Sequence, residues 1–511
     1  MKRREFIKKG SLAGIGTAAS VSLLKQASAK EESTSAGANV KFEDSIDELY
    51  EFNEDYQGFR QKNTAFNLSF WSGRNPFTPE AKIEYPTSED TPVKELTGEG
   101  IGKSGFGRLL AGVLWKQKYG KDPAGTPGFT ALDKSLKDAT CATETLTGSI
   151  FSRAFSGDSG PEITIRNKTG GKMFDLPLSL VKPHFPSGFA VEKDRWKFSS
   201  KKEASQVIKK AARLCGADLV GIAPFDERFI YKSQVHFPFD ALSGKLKDGK
   251  SHPDNKFNLD RPVSFISGLD KQGKPILFKP KSVIVLIHEM DYEAYKTSPS
   301  FISAAASSKG YAAMIEISLK VAKFLRGIGY FSMHAGNDTG LSVPLAISAG
   351  LGEGSRMGLL VTEEFGPRIR ISKVFTDLEL EHDKPKTFGV KGFCEVCQKC
   401  ADSCPSGAIS KVPRVTDPEN QVPNRSVNSG VMKWYNDNQK CLSFWLDNTI
   451  ECANCVACCP YNKLDTWNHD LAKVATKVPV LQRITRYLDE MFGYGEVGSL
   501  KNQKQFWKKN I

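Results

Sequence analysis

Eight of the eleven cysteines fall into two spaced sets near the C-terminus, and that spacing is the strongest chemical signal in the chain. Cys394, Cys397, Cys400 and Cys404, followed by Pro405, form a C-x2-C-x2-C-x3-C-P run. Cys441, Cys452, Cys455 and Cys459, followed by Pro460, repeat it with the first gap opened to ten residues. In bacterial proteins this spacing holds 4Fe–4S cubes, with three cysteines on one cube and the fourth crossing to a second. C-x2-C pairs also suit a tetrahedral zinc ion. Two complete C-P sets in tandem point instead to two iron–sulfur clusters, and therefore to electron transfer. The expected ligands are Cys394, Cys397, Cys400 and Cys459 on one cube, and Cys441, Cys452, Cys455 and Cys404 on the other. A second tracing runs through Cys452, Cys455 and Cys458, but it leaves Cys441 idle and no fourth ligand before Pro460. Cys458 is thus expected to be a buried free thiol, the common fate of a spare cysteine. Cys141 and Cys215 stand alone and are also expected to be free.

The N-terminus carries a different kind of information. Arg3 and Arg4, then Phe6, Ile7 and Lys8, match a twin-arginine export pattern; a mild apolar stretch follows, and Ala27-Ser28-Ala29 is an A-x-A cleavage site. The apolar run is too short and too rich in glycine to be a membrane span. Export normally goes with disulfides, whereas here the cysteines have an iron role. The two agree if the protein is exported already folded around its cofactors. The net charge is +13, and removing residues 1–29 (six basic, one acidic) leaves +8. Such a surplus suits an anionic membrane surface or an acidic partner. No basic patch interleaved with aromatics argues for nucleic acid.

The elements that would position this chemistry can be read from periodicity. The length of 511 residues suggests about three domains. Residues 30–195 are irregular, with recurrent aromatics (Phe66, Phe70, Trp71, Phe77, Trp115) suited to a cap over a pocket or to ordinary core. Lys202 to Cys215 has the apolar period of an amphipathic helix, stopped by Gly216. Buried strands are expected at 217–223 and 282–288, and further strands leading on from 330–334, at 357–362 and at 369–375. Helices are expected at 311–326 and 343–349. Alternating elements imply an α/β (α+β) core. The expected organisation is a signal peptide (1–29), an N-terminal cap (30–195), an α/β domain (196–385), a cluster domain (386–470) and a helical tail (471–511).

With these parts in place, the chain resembles the corrinoid-dependent reductive dehalogenases. The resemblance rests on the signal, the two cysteine motifs and the stretch AGLGEGSRMGLLVTEEFGPRIRISKVFTDLELEHDKP. Segments such as EASQVIKKAARLCGADLVGIAPFDER, DYEAYKTSPS and DTWNHDLAKVATKVPVLQ look closest to the branch with tetrachloroethene-type enzymes. It covers nearly everything from residue 199 onward. The resemblance implies a nitroreductase-like core that binds a cobalamin-type corrinoid base-off, and a ferredoxin-like domain with two 4Fe–4S clusters. None of the seven histidines lies in a D-x-H-x-x-G motif, in keeping with base-off binding. By the same resemblance, Ser342, the Ser355-Arg356-Met357-Gly358 turn and His469 contact the corrinoid. Gly350, Gly352 and Gly354 would either let backbone approach the macrocycle or serve ordinary turns.

The family's catalytic set maps onto Tyr311, Asn337 and Arg370, with Trp445 in the substrate pocket. Read without the resemblance, Tyr311 would be core, Asn337 a turn residue, Arg370 a surface cation and Trp445 packing beside a cluster. Arg368 lies on the same strand face as Arg370, so the register between them is open. Replacing carbon–halogen by carbon–hydrogen needs two electrons and a proton. Tyrosine, with its usual pKa of about 10, donates a proton well only if its anion is stabilised, which a permanently charged arginine does. Asn337 would donate its amide to the halogen or hold the tyrosine. The implied partners are a halogenated organic substrate, a small integral membrane anchor protein, and an electron donor from the quinone pool or a redox protein. A homodimer is compatible with it. The implied location is the outer face of the cytoplasmic membrane. Two alternatives stay open: an epoxyqueuosine-reductase-like corrinoid enzyme, and an exported ferredoxin-type electron-transfer subunit.

Overall fold

Four strands form the sheet that carries the site: β1 (Leu219–Pro224), β2 (Ser282–Glu289), β3 (Ser332–Ala335) and β4 (Ile369–Thr376). The computed structural model describes residues 40–54, 56, 58–70, 109, 113–120, 125–140, 163–166, 172–176, 191–236, 258–269, 275–418, 421–422, 426–462, 464, 486 and 495–508. The strands lie in the order β3-β4-β2-β1, each antiparallel to its neighbours. The fold is therefore mixed α/β with an antiparallel sheet. The chain divides into two units, Met1–Lys41 and Phe42–Ile511. Only residues 40 and 41 of the first are described, and all the elements below belong to the second. The expected signal peptide, with Arg3 and Arg4, lies outside the described residues, as does Cys141. Cys215 is a free thiol.

β2 shows why this region folds as a strand buried on both sides. Its SVIVLIH run is β-branched and apolar, and successive side chains leave opposite faces. Val283, Val285 and Ile287 join Ile371 and Phe375 of β4 in one core. Ile284 and Leu286 join Val374 in the other. The first core is closed by α3 (Ser342–Ser348) through Leu345, Ala346 and Ile347. The second is closed by α1 (Lys201–Leu214) and by the C-terminal half of α2 (Phe301–Gly327). Ala204, Ile208 and Ala212 of α1 meet Ile317, Val321, Ala322 and Leu325 of α2 there. Burying each such Val, Leu or Ile contributes about 1.5–3 kcal/mol.

Helix ends follow local chemistry. Ser200 caps α1 by accepting from the Glu203 amide, and Glu203 accepts in turn from the Ser199 amide. At the other end Gly216 (φ +114°) takes a left-handed turn that other residues resist. α2 begins at Phe301, ten residues before the expected Tyr311, because Ser300 and Ser303 form a reciprocal capping box. Its first turns, Phe301 to Ser308, are buried on every side, so no amphipathic period announces them. Strand 357–362 shrinks to Leu360–Val361, which pairs with Glu353–Gly354 in a short hairpin. Among the described residues no helix is long and apolar enough to cross a membrane.

Candidate active site and cluster-binding segment

Strand alternation decides which arginine reaches the tyrosine. Ile369, Ile371 and Phe375 point to the α3 side, so Arg370 points toward α2. There Arg370 Nη1 donates to the Tyr311 hydroxyl at 3.0 Å. The guanidinium carbon also lies 4.0 Å from the Tyr311 ring centroid. Gly310 makes the approach possible, since a Cβ at this position would sit 2.8 Å from Arg370 Cγ and 3.1 Å from Met290 Cγ. Arg368, two residues earlier, is committed elsewhere: it donates to Glu289 at 2.6 Å and to Asn462 at 3.0 Å. It is Arg370 that meets the tyrosine.

Polar groups that the sequence did not single out surround this pair. Tyr295 closes a one-turn helix, Tyr292–Tyr295, and its hydroxyl bonds Ser307 Oγ at 2.8 Å. Burial pushes the Tyr295 phenol up to about 12, with Arg370 and Ser307 pulling it back and Glu451 and Tyr311 pushing the same way as burial. Ser307 stands one helical turn before Tyr311, a spacing that places both on one face of α2. On β2, His288 is the register partner of Arg370, and its Nε2 pairs with Ser372 Oγ at 2.7 Å. Burial holds that imidazole down at about 4, hence neutral beside the guanidinium at physiological pH.

Asn337 lies in the turn after β3 and is exposed. Its carbonyl accepts from the Tyr231 hydroxyl at 3.4 Å. Among the described residues no hydrogen bond joins its side chain to Tyr311. Its neighbour Gly336 has a Cβ position 3.7 Å from Cε of Met314, which lies three residues along α2 from Tyr311. The turn is held firmly. Asp338 Oδ1 accepts from the Gly336 amide at 2.8 Å, and Gln234 Nε2 donates to Thr339 Oγ1 at 3.1 Å. Lys373, buried on the α3 side of β4, donates to Gly340 O at 2.9 Å and to Ser342 Oγ at 2.8 Å. Burial pushes this amine down to about 8 against the pull of Asp338. Ser342 is thereby engaged by protein, at the start of α3.

The Ser355–Gly358 turn grips the first cysteine helix. The preceding strand supplies Glu353, whose Oε1 accepts from the amides of Phe388 and Val390, the latter the first residue of α4 (Val390–Cys397). A carboxylate at that end suits the helix dipole. Arg356, 1% exposed, holds the other end: Nε donates to Cys394 O at 3.0 Å and Nη1 to Ser410 O at 2.8 Å. Its guanidinium lies 4.8 Å from the Trp434 ring. Ser355 bonds Leu359 O at 2.8 Å, Met357 is buried, and Gly358 (φ +73°) closes the turn. Cβ positions at Gly350 and Gly352 would meet the Lys384 and Val361 carbonyls, which assigns those glycines to close chain packing. His469 lies outside the described residues.

The cysteines feel one another both within the two expected groups and between them, Cys455 feeling Cys400 as well as Cys441 and Cys452. Burial raises the Cys394 thiol to about 12, with Cys397 adding to it. Cys459 is raised well above its ordinary value by burial and then by Cys394, Cys400 and Cys397. In the second group, burial raises Cys441 to about 12 and Cys452 to about 11, and both feel Cys404. Cys455, raised by burial, feels Cys441 and Cys452 next. Cys458 is fully buried between the groups, its Sγ 3.6 Å from Cys455 O, and neighbours both Cys455 and Cys400. Gln398, in left-handed conformation (φ +51°), turns the chain between Cys397 and Cys400. Among the described residues no three His, Cys, Asp or Glu side chains converge as a single metal ion requires. Of the eight cysteines, Cys397, Cys400 and Cys459 are buried and the other five half-buried.

The segment of the second cysteine set is tied directly to the start of α2, the helix that carries Tyr311. Ser298 Oγ accepts from the Ala453 amide and donates to Asn454 Oδ1, both at 2.8 Å, just before α2 begins. Trp445, on α5 (Asn438–Asn448), packs with Leu109, Leu114 and Leu446, 5.6 Å from the Phe66 ring. Its indole lies beside the Cys441 thiol and lowers it, without a full hydrogen bond. Trp115 of the N-terminal region donates to Phe129 O at 2.8 Å and stands edge-on to Phe301.

Comparison with known proteins points one way. A tetrachloroethene reductive dehalogenase of Desulfitobacterium hafniense is 38% identical over 560 aligned positions, covering 99% of this chain and 98% of that protein. An epoxyqueuosine reductase of Lactococcus garvieae is 32% identical, but over only 26% of this chain. A solved reductive dehalogenase, reported with a mechanism for B12-dependent dehalogenation, aligns with 70% of this chain and 47% of its own at TM-score 0.48 and 25% identity. No family model matches.

Proposed function

The chain belongs to the reductive dehalogenases, and from that premise we propose that Tyr311 delivers the proton when the halogen of an organohalide is replaced by hydrogen. The observation that carries this assignment is the Arg370 guanidinium bonded to the Tyr311 hydroxyl at 3.0 Å. A fixed cation at that distance favours the phenolate left after proton transfer, and its planar fork holds the ring in one orientation. Gly310 leaves the path between them clear, and the neutral His288 adds no competing charge. Asn337, exposed in the turn after β3, is proposed to donate its amide to the departing halogen. A corrinoid would supply the reducing cobalt centre when bound, and two 4Fe–4S clusters would supply its electrons.

The two cysteine groups support the ligand sets Cys394, Cys397, Cys400, Cys459 and Cys441, Cys452, Cys455, Cys404. Cys394, Cys400, Cys441, Cys452, Cys455 and Cys459, whose thiols burial raises, would give up their protons on taking up iron. The antiparallel sheet between helices supports a nitroreductase-like core for the corrinoid, and residues 386–470 a ferredoxin-like domain. Ser342, Ser355 to Gly358 and His469 remain its proposed corrinoid contacts, with Arg356 also clamping the cluster segment. The N-terminal pattern supports twin-arginine export and docking on a small membrane anchor protein.

Purified anaerobically, the mature enzyme should hold about eight iron atoms and one cobalt per chain. Assayed with reduced methyl viologen against chlorinated and brominated ethenes, alkanes and phenols, it should release halide from at least one class. Zinc in place of iron, or no halide from any substrate, would overturn the proposal.

A further inference from the structure

The side chain of Arg356 runs into the segment that carries the first cysteine set, and what it meets there is almost entirely neutral. Nε donates to Cys394 O at 3.0 Å, and Nη1 to Ser410 O at 2.8 Å and to Val412 O at 3.2 Å. Nη2 reaches Glu395 O at 3.5 Å. Among the described residues the one carboxylate oxygen within 4 Å is Glu395 Oε2, 3.9 Å from Nη2. Glu395 is part-exposed and closer to Arg414, whose Nε donates to Oε1 at 2.9 Å. The Trp434 ring covers the guanidinium, and Asn436 fixes the backbone by donating to Arg356 O at 3.0 Å. A cation that is costly to bury is thus held mostly by carbonyl dipoles rather than by an equal and opposite charge.

Reducing an iron–sulfur cube by one electron adds a negative charge to it, and its potential follows the net charge, the hydrogen bonds to sulfur and the solvent exposure around it. A guanidinium keeps its charge at any physiological pH. Buried beside the cube, it favours the reduced form, and salt screens it far less than a surface charge. We propose that Arg356 is a redox-tuning residue, whose buried charge raises the reduction potential of the cube held by Cys394, Cys397, Cys400 and Cys459. The cysteines themselves respond to that charge. Burial raises the Cys394 and Cys400 thiols, and Arg356 pulls both back, at Cys394 through its own amide as well. A higher potential lets a weaker donor fill this cube. The inference rests on the assignment of those four cysteines to one cube.

The test is a redox titration of the cofactor-loaded enzyme with dithionite and mediator dyes, each cluster being followed by electron paramagnetic resonance. The cube in question is the one whose signal Cys459→Ser lacks. Arg356→Gln keeps the amide and a side-chain donor but loses the charge. It should weaken reduction of that cube about tenfold, a fall of about 59 mV for one electron, and move the second cube less. Arg356→Lys keeps the charge without the planar fork and should stay near the wild-type potential. An unmoved potential in Arg356→Gln overturns the inference, and so does a fall in Arg356→Lys as large as in Arg356→Gln, which would leave the residue a clamp alone. If Arg356→Gln does not take up iron, Glu395→Gln decides at a part-exposed position: removing that carboxylate should raise the same potential, and no change overturns the inference. If the wild type shows no pair of cluster signals, the ligand assignment itself fails; if both are present and the potential does not follow these charges, only this inference fails.

Discussion

Replacing Tyr311 by phenylalanine removes one oxygen and leaves the ring. The ring's contact with the Arg370 guanidinium, 4.0 Å from its centroid, is kept, and with it most of the packing of that turn of α2. What is lost structurally is the 3.0 Å hydrogen bond, about 1–1.5 kcal/mol of stability. A shortfall of that size lowers the melting temperature by only a few degrees in a protein this large. Catalysis should suffer far more. General-acid help is worth about 10²–10⁴-fold, or roughly 3–5 kcal/mol on the barrier. The assay is halide release by enzyme whose iron and cobalt contents match the wild type. A Tyr311→Phe enzyme within a few-fold of wild-type turnover would refute the reasoning and leave Tyr311 a packing residue.

Cys459→Ser should lose about half the iron and one cluster signal in electron paramagnetic resonance, whereas Cys458→Ser should keep both; the reverse would reassign the crossing ligand. Gly310→Ala puts a methyl 2.8 Å from Arg370 Cγ, about 1 Å inside contact distance, so turnover should fall at least tenfold with cofactor content unchanged. His288 and His334 are both held at about 4 by burial, below the unfolded value of about 6.5. Their neutral-form stability is therefore whole above about pH 6.5 and drains away as pH falls toward 4, by about 1.4 kcal/mol per pH unit for each. The double variant His288→Gln/His334→Gln should flatten the fall in melting temperature over that window. Arg3→Lys with Arg4→Lys should leave an unprocessed, cofactor-loaded precursor in the cytoplasm; normal processing would count against twin-arginine export.

The elements legible beforehand were those with a clean period. β2 and β4 were visible as apolar runs, and α1 as an amphipathic stretch ended by Gly216. The first ten residues of α2 were not, because a helix buried all round by Ser, Ala and Gly has no apolar stripe. The expected cysteine grouping came from spacing alone. Asn337 and Tyr311 could be named only by resemblance, since neither carries a local signal that separates chemistry from packing. Tyr295, Ser307 and Lys373 went unnoticed. Their importance comes from neighbours distant in sequence, such as Lys373 with Gly340. Arg356 was read as a corrinoid contact, and its most evident work is to hold the Cys394 and Ser410 carbonyls.

The central claim is that electrons entering through the cysteine-held clusters leave as a broken carbon–halogen bond. Its most direct test is the ratio of electrons consumed to halide released, followed in one anaerobic cuvette with reduced methyl viologen and an organohalide in excess. Because the reaction takes two electrons and one proton per bond, two viologen radicals should be oxidised for each halide ion that appears. Viologen oxidation with no halide, or halide release that does not depend on viologen, would contradict it.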